Sequence, residues 1–359
     1  MSTYARPSTA GPRARPSRLT RQGTQGGLQR CLFLVAVDGS EISTRGLRLA
    51  AHMMNPERDI IKAITVEMPT NANEAAATVE ASMKAAALGQ QKLPAQQILL
   101  NARSELLKCG VEQYQLQTQL LQLDDGVECS NRNQALAAVA ALLVREANRN
   151  LRRATGLLVL GAAGIGQAQK GQGNKAVGMG PVAQYVVQKA KCAITLCKEA
   201  QIDLDGPLRS TRVPLHVVVC VDGSATARAA YDNAIRFCKA GDVLSVLNVV
   251  SQSHERQEAV ASARIQQQWN DECAKLSATR DGLTVQFAPE AMQSRSVVDV
   301  ILQYITRNKC QLCVMGSLEL MKVDQTAVLG SVAQAVAMRS KAHCCIVKGY
   351  GQEESSFLM

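Results

Sequence analysis

Aromatic side chains are scarce in this chain: Phe, Trp and Tyr together make up 3% of its 359 residues, with a single tryptophan. That scarcity counts against a nucleic-acid platform built on base stacking. It also leaves Ala, Val, Leu and Ile to fill the cores, which suits helices packed on a parallel sheet. Long apolar runs are missing too. The longest, Ala135 to Val144, is about half of the ~20 residues a spanning helix needs, so no membrane span is expected. No secretory signal is expected either. The sequence has no HExxH, no Walker lysine behind a glycine loop and no Gly-x-Ser-x-Gly. Its four histidines, His52, His216, His254 and His343, fall on separate elements, where structural or exposed positions are expected.

Acid is absent from one stretch in particular. Residues 1–30 hold six arginines (Arg6, Arg13, Arg15, Arg18, Arg21 and Arg30) and no Asp or Glu. Those six account for most of the formal charge of +10 and leave +4 for the rest, so the basic balance is no general nucleic-acid signal. The stretch mixes Pro, Ser, Thr and Gly with almost nothing to bury and is expected to be disordered. Its composition is also that of a mitochondrial transit peptide, although Pro7, Pro12 and Pro16 would interrupt the amphipathic helix such a peptide forms. The reading adopted is a solvated tail that can engage a protein partner, in a cytoplasmic protein, with mitochondrial import as the alternative.

Twelve cysteines are present, and most, such as Cys31, Cys220, Cys238 and Cys313, sit inside strand or helix patterns. There a free thiol behaves as a small buried hydrophobe. Domains of this size need no disulfides, so a reducing compartment is expected. Cys310-x-x-Cys313 has the spacing of half a zinc site without a second such pair, and no metal role is expected for it.

What the chain does contain is one pattern met twice. Leu32-Phe-Leu-Val-Ala-Val-Asp-Gly-Ser40 returns as His216-Val-Val-Val-Cys-Val-Asp-Gly-Ser224, with Asp38 and Asp222 184 residues apart. Each is a short β-branched run that reads as a strand buried on both faces. The glycine permits a tight turn, and the serine can cap a following helix. A parallel strand that opens at its carboxyl end into a helix N-terminus is where α/β folds hold ligands, and the exposed amides favour an anion.

Around each copy, strand and helix patterns alternate. In the first half, helix is expected over Ser43–Met54 and strand over Ile60–Val66. Helix follows within residues 74–109, broken near Gly89 and Pro94, then strand over Tyr114–Leu123 with one polar face, helix over Asn133–Asn150 and strand over Leu157–Leu160. A glycine-rich loop, Gly161–Gly180, leads to a helix from Val182 and a last strand near Ile194. In the second half, strands are expected at Val217–Val221, Val243–Val250, Leu283–Phe287, Leu312–Met315 and Cys344–Val347. Helices are expected at Thr226–Ala240, Glu255–Ala278 and Val297–Asn308, and from Gly330-Ser331 to about Ser340. Gly241 is expected to close the first of these helices with a left-handed cap. Such alternation implies right-handed crossovers and a mainly parallel sheet. The organisation expected is a basic segment (1–30), a first domain (31–200), a linker (201–213), a second domain (214–348) and a loose tail (349–359).

The order of elements and the glycine positions resemble the universal stress protein family, twice in tandem. Members open with an apolar strand ending in Asp-x-Ser, matched by Asp38-Gly39-Ser40 and Asp222-Gly223-Ser224. They close with Gly-x-x-Gly, a spacer of about nine residues, and Gly-Ser or Gly-Thr leading a helix. The resemblance implies a three-layer α/β/α sandwich on a mainly parallel five-stranded sheet, flavodoxin-like or adenine nucleotide hydrolase-like, repeated twice. It implies binding of ATP or a related adenine nucleotide, with Mg2+ able to accompany ATP. Asp38 or Asp222 would lie at the adenosine end, and backbone at Val66 or Val249 would lie near adenine. Amides at Gly161, Gly164 and Gly180, or at Gly316, Gly330 and Ser331, would meet phosphate. It also implies that the last strands pair, with Ile194 and Ile346 at the seam of an internal pseudo-dimer, and that the chain can form further homo-oligomers.

Both halves depart from the family pattern. In the first, Gly161-Ala-Ala-Gly164 is intact, but fifteen residues separate it from Gly180, and Pro181 replaces Ser or Thr. That proline removes a hydroxyl and an amide donor; the loop residues Lys170, Gly171, Gly173 and Lys175 can supply charge and bare backbone instead. In the second, Gly330-Ser331 is intact after a ten-residue spacer, but Glu319 stands at the second glycine. A carboxylate ~4 Å from a phosphate charge costs about 4 kcal/mol at an effective dielectric near 20, and much less if turned outward or paired with Lys322. The function expected is a non-catalytic stress-response or regulatory module that binds nucleotide. The alternative is a nucleotide-free pair of domains serving as an interaction or scaffold protein, and a weak ATPase is the one activity left open.

Overall fold

The computed structural model describes residues 30–67, 93–123, 132–151, 156–163, 178–198, 214–250, 256–292, 295–317, 320–321 and 327–348. The first half runs β1 (Leu32–Ala36), α1 (Glu41–Met53), β2 (Ile60–Glu67), α2 (Ala95–Lys108), β3 (Leu116–Gln122), α3 (Arg132–Asn150), β4 (Gly156–Gly161), α4 (Pro181–Lys189) and β5 (Ala193–Cys197). The second runs β6 (His216–Val221), α5 (Ala225–Phe237), β7 (Val243–Val250), α6 (Arg256–Thr279), β8 (Thr284–Ala291), α7 (Val297–Arg307) and β9 (Leu312–Ser317). A small hairpin, β10 (Leu320–Met321) with β11 (Ala327–Val328), precedes α8 (Ser331–Arg339) and β12 (His343–Lys348).

Ten strands form one sheet in the order β3-β2-β1-β4-β5-β12-β9-β6-β7-β8. In this sheet every pairing inside either half is parallel. Where the halves meet, β5 and β12 run antiparallel, with Cys344 opposite Leu196, Cys345 opposite Thr195 and Ile346 opposite Ile194. Two five-stranded sheets of identical order are thus fused along their last strands. The antiparallel seam points the carboxyl rims of the two halves toward opposite edges of the shared sheet.

Alternation along the strands sends side chains to two cores. Val217, Val219 and Val221 join the layer under α1, α2, α5 and α6. Val218 and Cys220 face the layer under α3, α4, α7 and α8. Helix bounds follow local chemistry: Ser40 and Ser224 cap α1 and α5 through hydrogen bonds to the amides of Ser43 and Ala227, both 3.1 Å.

Three local expectations change. Helix α5 stops at Phe237, because the Asp242 carboxylate takes the Lys239 amide (2.8 Å) and Cys238 turns extended. Gly241 does have a left-handed φ of 91°, but it serves the turn into β7, where its amide donates to Gly282 (2.7 Å). The third strand begins at Leu116 rather than Tyr114. Gln113–Gln115 form a 3-10 turn that buries Gln115, whose amide donates to the carbonyls of Pro56 (2.8 Å) and Asp59 (3.1 Å). Strand β8 extends to Ala291, beyond the Phe287 expected. Of the helix expected in residues 74–109, the described part is α2; Gly89 lies outside the described residues, as do residues 1–29 of the basic segment, the linker and the tail.

Candidate functional site

The second half brings its two signature turns to one rim, because β6 and β9 are neighbours and parallel. After β6, the Asp222 carboxylate accepts the Ser224 amide (2.8 Å), an Asx turn that fixes the chain for the Ser224 cap. Helix α6 lies over this turn. Trp269 donates its indole N–H to the Asp222 carbonyl (3.0 Å), and a Cβ on Gly223 would sit 3.0 Å from Ile265 Cδ1. Near the end of β9, Gly316 lets the strand approach the first turn of α5: an added Cβ would lie 2.6 Å from the Thr226 carbonyl carbon and oxygen. Next to it Ser317 is buried, and its hydroxyl accepts the Gly330 amide (3.1 Å). Helix α8 then follows Gly330 with no side-chain cap, so among the described residues its first-turn amides are unpaired at the same rim. Val249, one residue from the end of β7, faces the side of the sheet covered by α7 and α8.

The first half repeats the opening turn more tightly. Asp38 accepts both the amide (3.0 Å) and the hydroxyl (2.6 Å) of Ser40. Gly39 has a φ of 82°, with Ile98 of α2 3.3 Å from where a Cβ would be. Gly161 ends β4 beside Ile42, and Val66 occupies in β2 the place Val249 holds in β7. The closing turn differs. The Ala162 amide donates to Cys197 (2.8 Å), the Gly180 amide to Ala162 (2.7 Å), and Pro181 takes the first helical position of α4. Two amides are therefore spent on backbone and a third donor is missing. Gly164, Lys170, Gly171, Gly173, Lys175, Glu319 and Lys322 lie outside the described residues.

Two surface clefts lie elsewhere. One of about 270 Å³ is lined by Glu290, Arg295, Tyr304 and Arg307. The other, about 210 Å³, lies between α1 and α2; of the candidate residues only Gly39 lines either. The histidines have structural settings. His343 is buried at the seam, where its Nδ1 accepts the Lys198 amide (2.9 Å); burial, with Arg45 and Lys198 nearby, holds its pKa down to about 3. His216 shares a 2.8 Å hydrogen bond with Ser245, and burial lowers its pKa as well. His52 is buried in α1, and His254 falls outside the described residues. Cys310 and Cys313 are both buried, and burial pushes Cys310 up to about 12. Among the described residues no cluster of three or more His, Cys, Asp or Glu is placed to hold a metal ion. No helix there is long and apolar enough to cross a membrane.

Sequence reasoning missed Ser317, Trp269 and two buried aspartates. Ser317 was findable as the hydroxyl beside Gly316, and Trp269 as the chain's single tryptophan. The aspartates, Asp59 and Asp242, play one part in both halves: Asp59 accepts the amides of Cys31 (2.9 Å) and Asn55 (2.8 Å), and Asp242 those of Leu215 and Lys239 (both 2.8 Å). Their signal was a spacing of 183 residues, nearly that of the Asp-Gly-Ser pair.

Comparison with known proteins places these features. Residues 215–348 match the family model described as the universal stress protein family. No curated protein matches the sequence significantly. A universal stress protein structure from Archaeoglobus fulgidus covers 88% of this chain and 98% of its own, at 17% identity and a TM-score of 0.56. That likeness shows a shared fold across both halves. A Pseudomonas aeruginosa structure described as a putative universal stress protein covers 88% and 92%, at 12% identity and a TM-score of 0.48. A universal stress protein solved in complex with cAMP covers 37% of this chain and 96% of its own, at 26% identity and a TM-score of 0.27.

Proposed function

We propose, from the match of residues 215–348 to the universal stress protein family model, that this protein binds ATP or a related adenine nucleotide at the carboxyl rim of its second half. There it serves as a non-catalytic stress-response or regulatory module. The observation that carries this reading is the uncapped start of α8 at Gly330, on the rim that also holds the Asp222–Ser224 turn. Orphan amides at a helix N-terminus favour a phosphate. In this reading Ser331 and the following amides meet phosphate, Gly316 keeps the strand end low, and backbone near Val249 lies by the base. A divalent cation would arrive with the nucleotide.

The first half supports a different role. With Pro181 at the head of α4 and the Ala162 and Gly180 amides engaged by backbone carbonyls, it has fewer donors to offer an anion. Its part is that of the scaffold, joined to the binding half through the shared sheet. One nucleotide per chain is the stoichiometry expected.

The test is equilibrium binding of labelled ATP to wild type, Gly330→Asp and Gly161→Asp. A Cβ at Gly330 would come no nearer than 3.7 Å to Ser317 Oγ, and aspartate is a good N-cap. The Gly330→Asp variant should therefore fold as well as wild type yet lose ATP, because its carboxylate occupies the anion position. Gly161→Asp should leave the stoichiometry unchanged. Absence of ATP binding to wild type at millimolar concentration would leave the interaction-protein reading in its place.

A further inference from the structure

We propose that Cys220 is a thiol-modification site: it forms a mixed disulfide with a small-molecule disulfide, and the adduct stands at the carboxyl rim that nucleotide would occupy in the second half. The claim of modification stands on the cysteine pair alone; the claim of a shared rim rests on the nucleotide reading above.

Of eleven cysteines among the described residues, ten are buried and Cys220 is the one partly exposed. It is also paired. Its sulfur lies 3.9 Å from that of Cys313, which is fully buried on the neighbouring strand. Contact with Cys220, together with burial, pushes the Cys313 thiol well above its ordinary range. Cys313 therefore keeps its proton and can donate it in a hydrogen bond to a Cys220 thiolate, the reactive form of the side chain. Burial holds the thiols of Cys31 (about 11), Cys192 and Cys345 (both about 12) in the inert protonated form.

The position of Cys220 links it to the rim. It is two residues before Asp222, and its register partner is Met315, the residue before Gly316. Cys220 and Val249 face the side of the sheet on which α8 packs. An adduct on Cys220 would stand between the Asp222–Ser224 turn and the start of α8, whose amides favour the carboxylates of an acidic adduct. In the first half Ala36 holds the matching place, 184 residues earlier, so the device belongs to the second half alone.

In the reaction the Cys220 thiolate attacks one sulfur of the incoming disulfide. The old S–S bond breaks, and the expelled thiolate takes up the proton that Cys220 gave away; excess thiol reverses the step. A direct Cys220–Cys313 bond is disfavoured. The register partner of Cys313 is Val218, so Cys220 is displaced by about 6.6 Å along β6 as well as about 4.8 Å across the ladder. That puts the two Cα atoms near 8 Å, past the ~7 Å a disulfide spans.

Full-length protein is incubated with oxidised glutathione under native conditions and followed by intact mass and peptide mapping, which separates Cys220 from Cys129, a residue outside the described ones. The expected result is one glutathionyl group on Cys220, removed by reductant and absent in Cys220→Ala. Cys313→Ala should slow the reaction several-fold. Millimolar ATP should slow labelling of the wild type, with ATP binding measured independently on the same sample. If Cys220 reacts no faster than the buried thiols, the modification site is overturned. If ATP binds yet leaves the rate unchanged, the shared rim is overturned. If ATP does not bind while Cys220 still reacts, the nucleotide reading fails and the modification site stands.

Discussion

Asp242 shows how much of this fold hangs on single polar side chains that no motif advertises. Its carboxylate holds the amide of Leu215, just before β6, and that of Lys239, which ends the α5 turn. Replacing it with alanine removes the partner of one buried amide and one half-buried amide, and an unsatisfied buried donor costs about 1–3 kcal/mol. Asp242→Ala and Asp59→Ala should each lower unfolding free energy by about 2 kcal/mol or more in urea titrations, and unchanged midpoints would refute the role. Gly316 makes a second case. The Cβ of Gly316→Ala would press on Thr226 backbone that cannot swing away, so a loss of about 1–3 kcal/mol is expected. By the same measure Gly330→Ala, whose Cβ among the described residues would meet only the Ser317 hydroxyl oxygen at 3.7 Å, should cost little.

His343 gives the residue scale a pH dependence. Its folded pKa of about 3 lies far below its ordinary value, so the unfolded chain binds this proton more readily. The stability it contributes is fully present above the unfolded pKa, about 6.5, and drains away as pH falls from there toward 3. The slope in that window is at most about 1.4 kcal/mol per pH unit. Denaturant midpoints between pH 7 and pH 4 should fall less steeply in His343→Gln than in wild type; equal slopes would show that another group carries the effect.

At the scale of elements, the capped helices separate cleanly from the uncapped ones. Ser40 and Ser224 seal α1 and α5, while α4 and α8 begin at glycines without side-chain caps. Ser224→Ala should cost about 1 kcal/mol as a drop in melting temperature, without loss of nucleotide if the phosphate lies at α8. The β-branched runs ending in Asp-Gly-Ser made β1 and β6 legible from the sequence, as did helical spacing for α3. Strand and helix ends were less legible, because long-range hydrogen bonds set them. Asp242 stops α5 three residues short of Ala240, and Gln115 leaves the third strand to bridge Pro56 and Asp59. Neither bond has a local signature. The candidate site was readable in its glycines and turns, but the burial of Ser317 and the cover given by Trp269 are products of tertiary packing.

For the whole molecule, the seam between β5 and β12 decides the behaviour. A single sheet crosses both halves, and Ile194, Thr195, Leu196, Cys344, Cys345 and Ile346 are all buried there. The halves should therefore unfold as one cooperative unit, and a charge placed in the seam, as in Ile346→Lys, should destabilise both together. Two resolved calorimetric transitions in wild type would contradict this. Because the seam is antiparallel, the second half's rim faces away from the first half's, and a ligand at Gly330 leaves the opposite edge free for other contacts.

The most direct test of the central claim is the number of ATP molecules bound per chain, measured by equilibrium dialysis of wild type and of Gly330→Asp at matched stability. Wild type should bind one and the variant none. A wild type that binds none, or a variant that binds as well as wild type, would contradict it.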